Sequence, residues 1–204
     1  MRKIAIEVQR CIHHMQGEWM TKKSSYEKRL CRVLHWQVVD SRYYDAVAEC
    51  NALIEIKKGI NGMHFDCIRY SEILLGRGVS NTVTVYFHWK KQSNQVVDVC
   101  IIDTKVLTQF LQINNYYASI YSELKNVVPR GVSVMANATS KDLRQIADFV
   151  VLADGRIIDQ EHIDKSKYLP HLFEKKKKET TPMETYNTEE RKSKNKASIL
   201  YYVF

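Results

Sequence analysis

The chain has 204 residues, 45% of them apolar and 26% charged, and a formal net charge of +8 at neutral pH. That length suits one domain or one domain with modest additions, and the composition is that of a globular chain, not of a fibrous or disordered one. No apolar run approaches the roughly 20 residues that a bilayer span needs, which argues against a membrane protein.

Five cysteines (Cys11, Cys31, Cys50, Cys67 and Cys100) are odd in number, widely spaced and without a CxxC pair. Zinc ribbons and disulfide frameworks need closer or paired spacing, so scattered thiols in a reducing, cytoplasmic compartment are expected. The charge is uneven. Residues 1–37 hold eight Lys/Arg against three Asp/Glu, residues 38–159 thirteen of each, and residues 160–204 ten against seven. Basic flanks around a neutral centre suit a polyanionic partner, because neutralised phosphates release condensed counterions. A merely soluble basic protein has the same distribution, so charge alone leaves both readings open.

The N-terminus, MRKIAIEVQRCIHHM, carries a short apolar stretch broken by charges, which predicts neither a signal peptide nor a membrane anchor. Residues 17–36 predict a helix capped at Ser24 or Ser25, with Glu27 three residues after Ser24 as in a capping box. Its Tyr26, Leu30, Val33 and Leu34 share one side, which should lie on a core. From Val38 to Lys58 the chain reads as extended, with Ala52–Lys57 a strand in composition after a turn at Cys50–Asn51. Gly59 and Gly62 then break the chain, and residues 64–76 predict a helix ended by Gly76.

Thr82–Trp89 alternates, with Val83, Val85, Phe87 and Trp89 on one face and Thr82, Thr84, Tyr86 and His88 on the other. Gln95–Ile102 is again strand-like, and the connector Lys90–Asn94 joins the two as a hairpin. Helices are expected at 104–112, 116–127 and 140–149, with a short extended piece at Gly131–Ala136. After Pro170 the chain turns polar through Lys175–Lys178 and a Thr/Glu/Lys-rich stretch, then ends apolar at Ile199–Phe204. The expected organisation is one domain over 1–170 and a basic polar extension over 171–204. The expected fold class is α/β, with a mixed central sheet flanked by helices.

Phosphodiester hydrolysis at a metal site needs hard oxygen ligands close together and a polar group to handle the attacking water. Side chains at i and i+2 of a strand emerge on one face, so Glu55 and Lys57 point together while Ile54 and Ile56 point into the core. The Cys50–Asn51 turn can bring Asp45 beside Glu55, with the Ile56 backbone carbonyl in reach of the same cation. Four other carboxylate-x-lysine pairs occur: Asp103–Lys105, Glu123–Lys125, Glu174–Lys176 and Glu190–Lys192. Two lie in the polar tail, one lies in a predicted helix, and Asp103 or Thr104 has an ordinary helix-capping role. Only Glu55–Lys57 interrupts an otherwise apolar strand, where charges cost free energy unless paired, coordinated or exposed. A half-exposed hairpin with a surface ion pair is the alternative.

The arrangement Asp45–x9–Glu55–Ile56–Lys57 resembles the PD-(D/E)XK nuclease motif, most closely that of small Type II restriction endonucleases. The resemblance covers roughly residues 20–90, and Tyr44 stands where the motif has its proline. It implies a restriction-endonuclease-like core in which Asp45 and Glu55 hold Mg²⁺ and Lys57 positions or helps deprotonate the water. It further implies in-line attack at phosphorus of double-stranded DNA, leaving 5′-phosphate ends, by a homodimer matched to a palindromic site. Relatives often add a glutamate from the preceding helix; Glu27 is the candidate, and a capping role explains it equally well. Asp40 is the understudy to Asp45.

Arg69 and Tyr70 can touch a DNA backbone, although a solvated helix face explains them too. Lys90, Lys91 and Asn94 are of the types that bind phosphate and read base edges, or form a plain polar loop. The histidines lack HExxH or finger spacing, and no GxxxxGK[ST], GxGxxG or GxSxG occurs, so nucleotide, dinucleotide and serine-hydrolase readings have no support. The other readings are a structure-selective nuclease with the same core, such as a junction resolvase or repair nuclease, and a non-catalytic nucleic-acid-binding module.

Overall fold

A computed structural model of the chain describes residues 1–15, 26–41, 43–66, 81–92, 95–111 and 135–165. The chain divides into two units, Met1–Lys165 and Ser166–Phe204, and every described residue belongs to the first. In chain order the elements are α1 (Arg2–Cys11), a 3₁₀ turn (Ile12–Met15), α2 (Tyr26–Leu34), β1 (Gln37–Val38), β2 (Ala46–Val47), β3 (Leu53–Gly59), β4 (Gly62–Asp66), β5 (Thr82–Lys90) and β6 (Gln95–Asp103). There follow α3 (Thr104–Phe110), β7 (Met135–Thr139), α4 (Ser140–Ile146), β8 (Phe149–Leu152) and β9 (Ile157–Asp159). The architecture is α/β: a mixed seven-stranded sheet of order β1-β2-β3-β5-β6-β8-β9, with β4 and β7 paired as a separate two-stranded ribbon. Every neighbouring pair is antiparallel except β3 and β5, which run parallel. A parallel pair needs a crossover connection, and here it spans residues 60–81.

One face of the sheet is covered by α1 and α2. Ile4, Ala5, Val8, Ile12 and Met15 recur at helical spacing and pack with Leu30 and Leu34 onto Ile54, Ile56, Val85, Phe87, Val99, Ile101, Phe149 and Val151. Each of the larger side chains contributes about 1.5–3 kcal/mol on burial, which makes this the main stabilising layer. Trp36 Nε1 donates to Glu7 Oε2 at 2.7 Å, and the Cys50 N–H donates to Glu7 Oε1 at 3.1 Å. The buried Glu7 carboxylate thus ties α1 both to the end of α2 and to the turn between β2 and β3.

The other face carries α3 and α4. Thr84 Oγ1 lies 2.8 Å from Thr104 Oγ1, and Tyr86 OH 2.9 Å from Ser140 Oγ, which sets one helix over each threonine–tyrosine step of β5. The alternation of β5 therefore holds as expected, but both of its faces are mostly buried. Asp103 caps α3 by accepting the Lys105 N–H at 2.7 Å, as its position before a helix predicts.

Several elements differ from the sequence-based expectation. His64, Phe65 and Asp66, expected to open a helix over 64–76, belong to β4, because their backbone pairs with β7 and Phe65 is buried from one side of that ribbon. Residues 67–76 of that helix lie outside the described residues, as does the helix expected at 116–127. The helix expected over 140–149 ends at Ile146, and Phe149 opens β8, which pairs with β6 and then turns into β9. The extended piece expected at Gly131–Ala136 falls at Met135–Thr139, and the helix expected over 17–36 is described from Tyr26 to Leu34. It stops where His35 takes φ 56° and the Trp36 N–H returns to the Cys31 carbonyl at 2.8 Å. The polar extension, Lys175–Lys178 and the apolar end lie outside the described residues.

Candidate active site

The turn at Cys50–Asn51 forms as the sequence predicts. Asn51 adopts φ 64° with its N–H on the Ala48 carbonyl at 2.9 Å, and the Ala48 N–H reaches the Ala52 carbonyl at 2.9 Å. The register it sets pairs Ala46 with Ile54 and Val47 with Leu53. Continued by one residue, it puts Asp45 opposite Glu55. Here β2 parts from β3. The Asp45 N–H still reaches the Ile54 carbonyl at 2.7 Å, but the next donor of β3, the Ile56 N–H, goes to the Asp45 side chain, 2.7 Å from Oδ2. A carboxylate thus substitutes for the missing main chain. The N–H and C=O of a strand residue face the same neighbour, so the Ile56 carbonyl leaves β3 on the Asp45 side.

Strand parity then sorts the charges of β3. Ile54 and Ile56 are fully buried against α1 and α2. Glu55 and Lys57 lie on the opposite face, in register with Thr84 and Tyr86, and form an ion pair through Glu55 Oε1. Glu55 is 1% exposed and Lys57 16%, so the pair is well removed from bulk water. Lys58 points the other way, its Nζ 4.6 Å from the Tyr26 ring centre and 5.2 Å from that of Trp89. Burial lowers the pKa of that ammonium, and the two rings supply a cation–π setting.

Glu27 lies in the first turn of α2, half-buried. The Tyr26 phenol is pushed up by burial and by the Glu27 charge, opposed by Lys57 and reinforced by Asp45. Cys31 is raised to about 11 by burial, then by Asp45 and Glu27. One tyrosine and one cysteine of α2 therefore feel Glu27 and Asp45 together, which brings α2 to the point where β2 and β3 part. Ser24 and Ser25 lie outside the described residues.

Lys90 and Lys91 are exposed at the end of the β5–β6 hairpin, away from Asp45 along the strands, while Arg69, Tyr70 and Asn94 lie outside the described residues. Asp40 is exposed, and it is Asp45, not Asp40, that bonds to β3. Among the described residues no cluster of three or more His, Cys, Asp or Glu side chains can hold a metal ion. Two carboxylates and a carbonyl remain at the β2–β3 divergence. Such hard oxygen donors fit Mg²⁺, which keeps several waters and is commonly held by one or two carboxylates with substrate phosphate.

A second constellation was not singled out from the sequence. Asp98, fully buried on β6, accepts from His88 Nδ1 at 3.0 Å, from Arg144 Nη2, and from Cys100 Sγ at 3.6 Å. Burial alone would push this carboxyl up, but the His88 and Arg144 hydrogen bonds hold it below the usual aspartate value. The signal was present, since Val96–Val97–Asp98–Val99–Cys100 is an apolar strand broken by one charge, as at Glu55. A third buried carboxylate, Asp148, accepts the Asp103 N–H at 3.1 Å and pairs with Lys165, and it pins the end of this unit to the start of α3.

No family model, curated protein or solved structure matches the chain. Among the described residues no helix is long and apolar enough to cross a membrane.

Proposed function

We propose that this chain is a Mg²⁺-dependent DNA endonuclease of the PD-(D/E)XK type, acting site-specifically on double-stranded DNA as a homodimer in the manner of Type II restriction enzymes. The observation that carries the reading is the Asp45 carboxylate, which accepts the N–H of Ile56, the residue between the paired Glu55 and Lys57 on β3. The order of elements supports it: a helix, a hairpin carrying the three residues, and a crossover to a strand parallel to the one bearing Glu55 and Lys57.

Asp45, Glu55 and the Ile56 carbonyl would hold the cation, which when bound supplies charge neutralisation at the phosphate under attack. Lys57 positions the attacking water. Its oxygen adds to phosphorus in line, the bond from phosphorus to the 3′ oxygen breaks, and that oxygen takes up a proton, leaving 5′-phosphate and 3′-hydroxyl ends. Glu55 sets the Lys57 ammonium, because the two side chains are already in contact on one strand face. Glu27, on α2 at the opposite sheet face from Glu55, is no part of this donor set.

Digestion of a fully sequenced plasmid in Mg²⁺ tests this. Discrete fragments support a site-specific enzyme, a smear supports a structure-selective or nonspecific relative, and uncut plasmid over a broad range of substrates removes the enzyme. Asp45→Ala or Lys57→Ala that cuts like the parent removes the site assignment. A second reading, a non-catalytic nucleic-acid-binding module, draws on the Glu55–Lys57 contact itself, which compensates both charges without a cation.

A further inference from the structure

Asp98 organises a second basic site on the sheet face that carries Glu55 and Lys57. His88 on β5 pairs with Asp98 on β6, and Arg144 reaches the same oxygen, Oδ2, from α4. Two basic side chains thus converge on one carboxylate that is itself fully buried and also accepts from Cys100. Among the described residues Arg144 commits a single nitrogen, Nη2, to Asp98, and its side chain is 44% exposed. The rest of its planar fork is left toward solvent, in the geometry that matches phosphate oxygens. His88 is held through Nδ1 and stacked on Tyr86, with ring centres 6.4 Å apart, which fixes the imidazole with Nε2 directed away from Asp98.

The surroundings add positive charge. Lys90 is the next residue of the same parity on β5, and it is exposed. The irregularity between His88 and Trp89 does not disturb that parity, because the extra residue of the bulge is Val97 on β6. Lys141 stands one turn before Arg144 on α4, exposed, while the acidic residue beside it, Asp142, is engaged in the capping box with Thr139. By strand spacing and rise, His88 is about 8 Å from Lys57 between backbones, one strand across and two residues along. Tyr86, tied to Ser140, stands between them.

We propose that His88 and Arg144, oriented by Asp98 and flanked by Lys90, form a phosphate-binding subsite that takes a backbone phosphate of the nucleic acid next to the one at Lys57. This rests on the nucleic-acid part of the function proposed above. Asp98 is a positioning residue here; Arg144 and His88 make the contact.

The test is binding of a short labelled DNA duplex, with Ca²⁺ in place of Mg²⁺, followed by anisotropy across a range of salt concentrations. Arg144→Gln and Lys90→Gln should each weaken binding severalfold and each flatten the log–log salt dependence by about 0.9, the loss of one phosphate contact. Lys3→Gln, which removes an exposed cation from α1, should change neither. Arg144→Gln also takes one of the two basic partners from the buried Asp98 carboxylate and costs stability, so thermal melting accompanies it, and Lys90→Gln, which touches no buried group, carries the test if Arg144→Gln fails to fold. Affinity and salt dependence in Lys90→Gln and Arg144→Gln that match Lys3→Gln overturn the proposal. So does a response to inorganic phosphate at the His88 imidazole resonances with duplex affinity indifferent to Arg144, which would mark a free-anion site. A protein that binds in this Arg144-dependent way and never cuts loses the endonuclease and keeps the subsite. One that cuts with a salt dependence indifferent to both residues keeps the endonuclease and loses the subsite.

Discussion

Removing one charge of the Glu55–Lys57 pair and removing both should have opposite consequences for stability. Glu55 is 1% exposed, so Lys57→Ala leaves a carboxylate without its compensating ammonium inside the protein. Breaking a buried pair in this way costs about 3–5 kcal/mol. Glu55→Gln combined with Lys57→Met removes both charges while keeping the side-chain volumes. Replacing a buried pair by neutral groups of similar size is often neutral or stabilising, so the double variant should unfold within about 1 kcal/mol of the parent or later. Activity should not follow stability. The double variant keeps the fold but loses the lysine proposed to position water and one proposed metal ligand, so cleavage should fall by at least about 10²-fold, the lower end for a positioned proton-transfer group. Urea denaturation monitored by tryptophan fluorescence gives the first quantity, and plasmid cleavage in Mg²⁺ the second. A double variant that is folded and cuts at the parental rate refutes the catalytic role, and a Lys57→Ala variant as stable as the parent refutes the buried-pair energetics.

Glu7→Ala removes the acceptor of both Trp36 Nε1 and the Cys50 N–H, and should cost about 3–5 kcal/mol from two bonds to a charged group and an orphaned buried indole, read as a shift of the urea midpoint; Glu7→Gln, which keeps one acceptor, should lose about half. Gly59→Ala would set a methyl 1.9 Å from the Gly62 carbonyl oxygen, a backbone atom that cannot turn aside, so the variant should lose about 1–3 kcal/mol or more, with a lowered melting temperature and impaired cleavage together. Asp98 has its folded-state pKa below the ordinary 3.8, so the folded state binds that proton less readily than the unfolded chain. Its contribution is complete above that range and is lost as pH falls through the folded value; the parent should lose more stability on acidification than Asp98→Asn, and equal acid sensitivity would contradict this. Burial raises Cys31 to about 11 and holds Cys100 well above the usual thiol range, so both should resist a thiol reagent at pH 8 until the protein unfolds, as mass spectrometry of the labelled chain would show.

What the sequence revealed of this fold depended on whether the deciding contacts were local. Strand β3 and its turn were readable because an alternating apolar run and an asparagine able to take positive φ are properties of a few adjacent residues. The β5–β6 hairpin was readable for the same reason. Phe65 has apolar neighbours that suit a helix. Its strand is fixed only by pairing with β7, some seventy residues later, and no local pattern encodes that partner. Phe149–Leu152 is similar: a short apolar run after a helix extends that helix on paper, and becomes a strand because β6 offers an open edge. Helix α1 carries a signal in the spacing of Ile4, Ala5, Val8, Ile12 and Met15, and the charges that break its apolar stretch form the polar side of an amphipathic helix. At the candidate site, parity separated Lys57 from Lys58 without any structure. The bond from Ile56 to Asp45 was not legible, because it exists only where β2 leaves β3, and the length of a strand is set by tertiary packing.

The two faces of the sheet show why charges were retained where they are. Toward α1 and α2, strands β3, β5, β6 and β8 present apolar side chains, with the Lys58 ammonium placed over two rings at the edge. Toward α3 and α4, the same strands present Glu55, Lys57, Thr84, Tyr86, His88 and Asp98. One apolar face already gives this unit a continuous core, so the second face could have been apolar too, and by the energetics of buried pairs would have been no less stable. Each charge there has instead been kept and supplied with a partner: Glu55 with Lys57, Asp98 with His88 and Arg144. The basic partners are in each case the more exposed members. Buried carboxylates hold more exposed basic groups at fixed positions along one sheet face, the arrangement that the proposed run of phosphates requires, with the proposed cut at the Asp45–Ile56 bond.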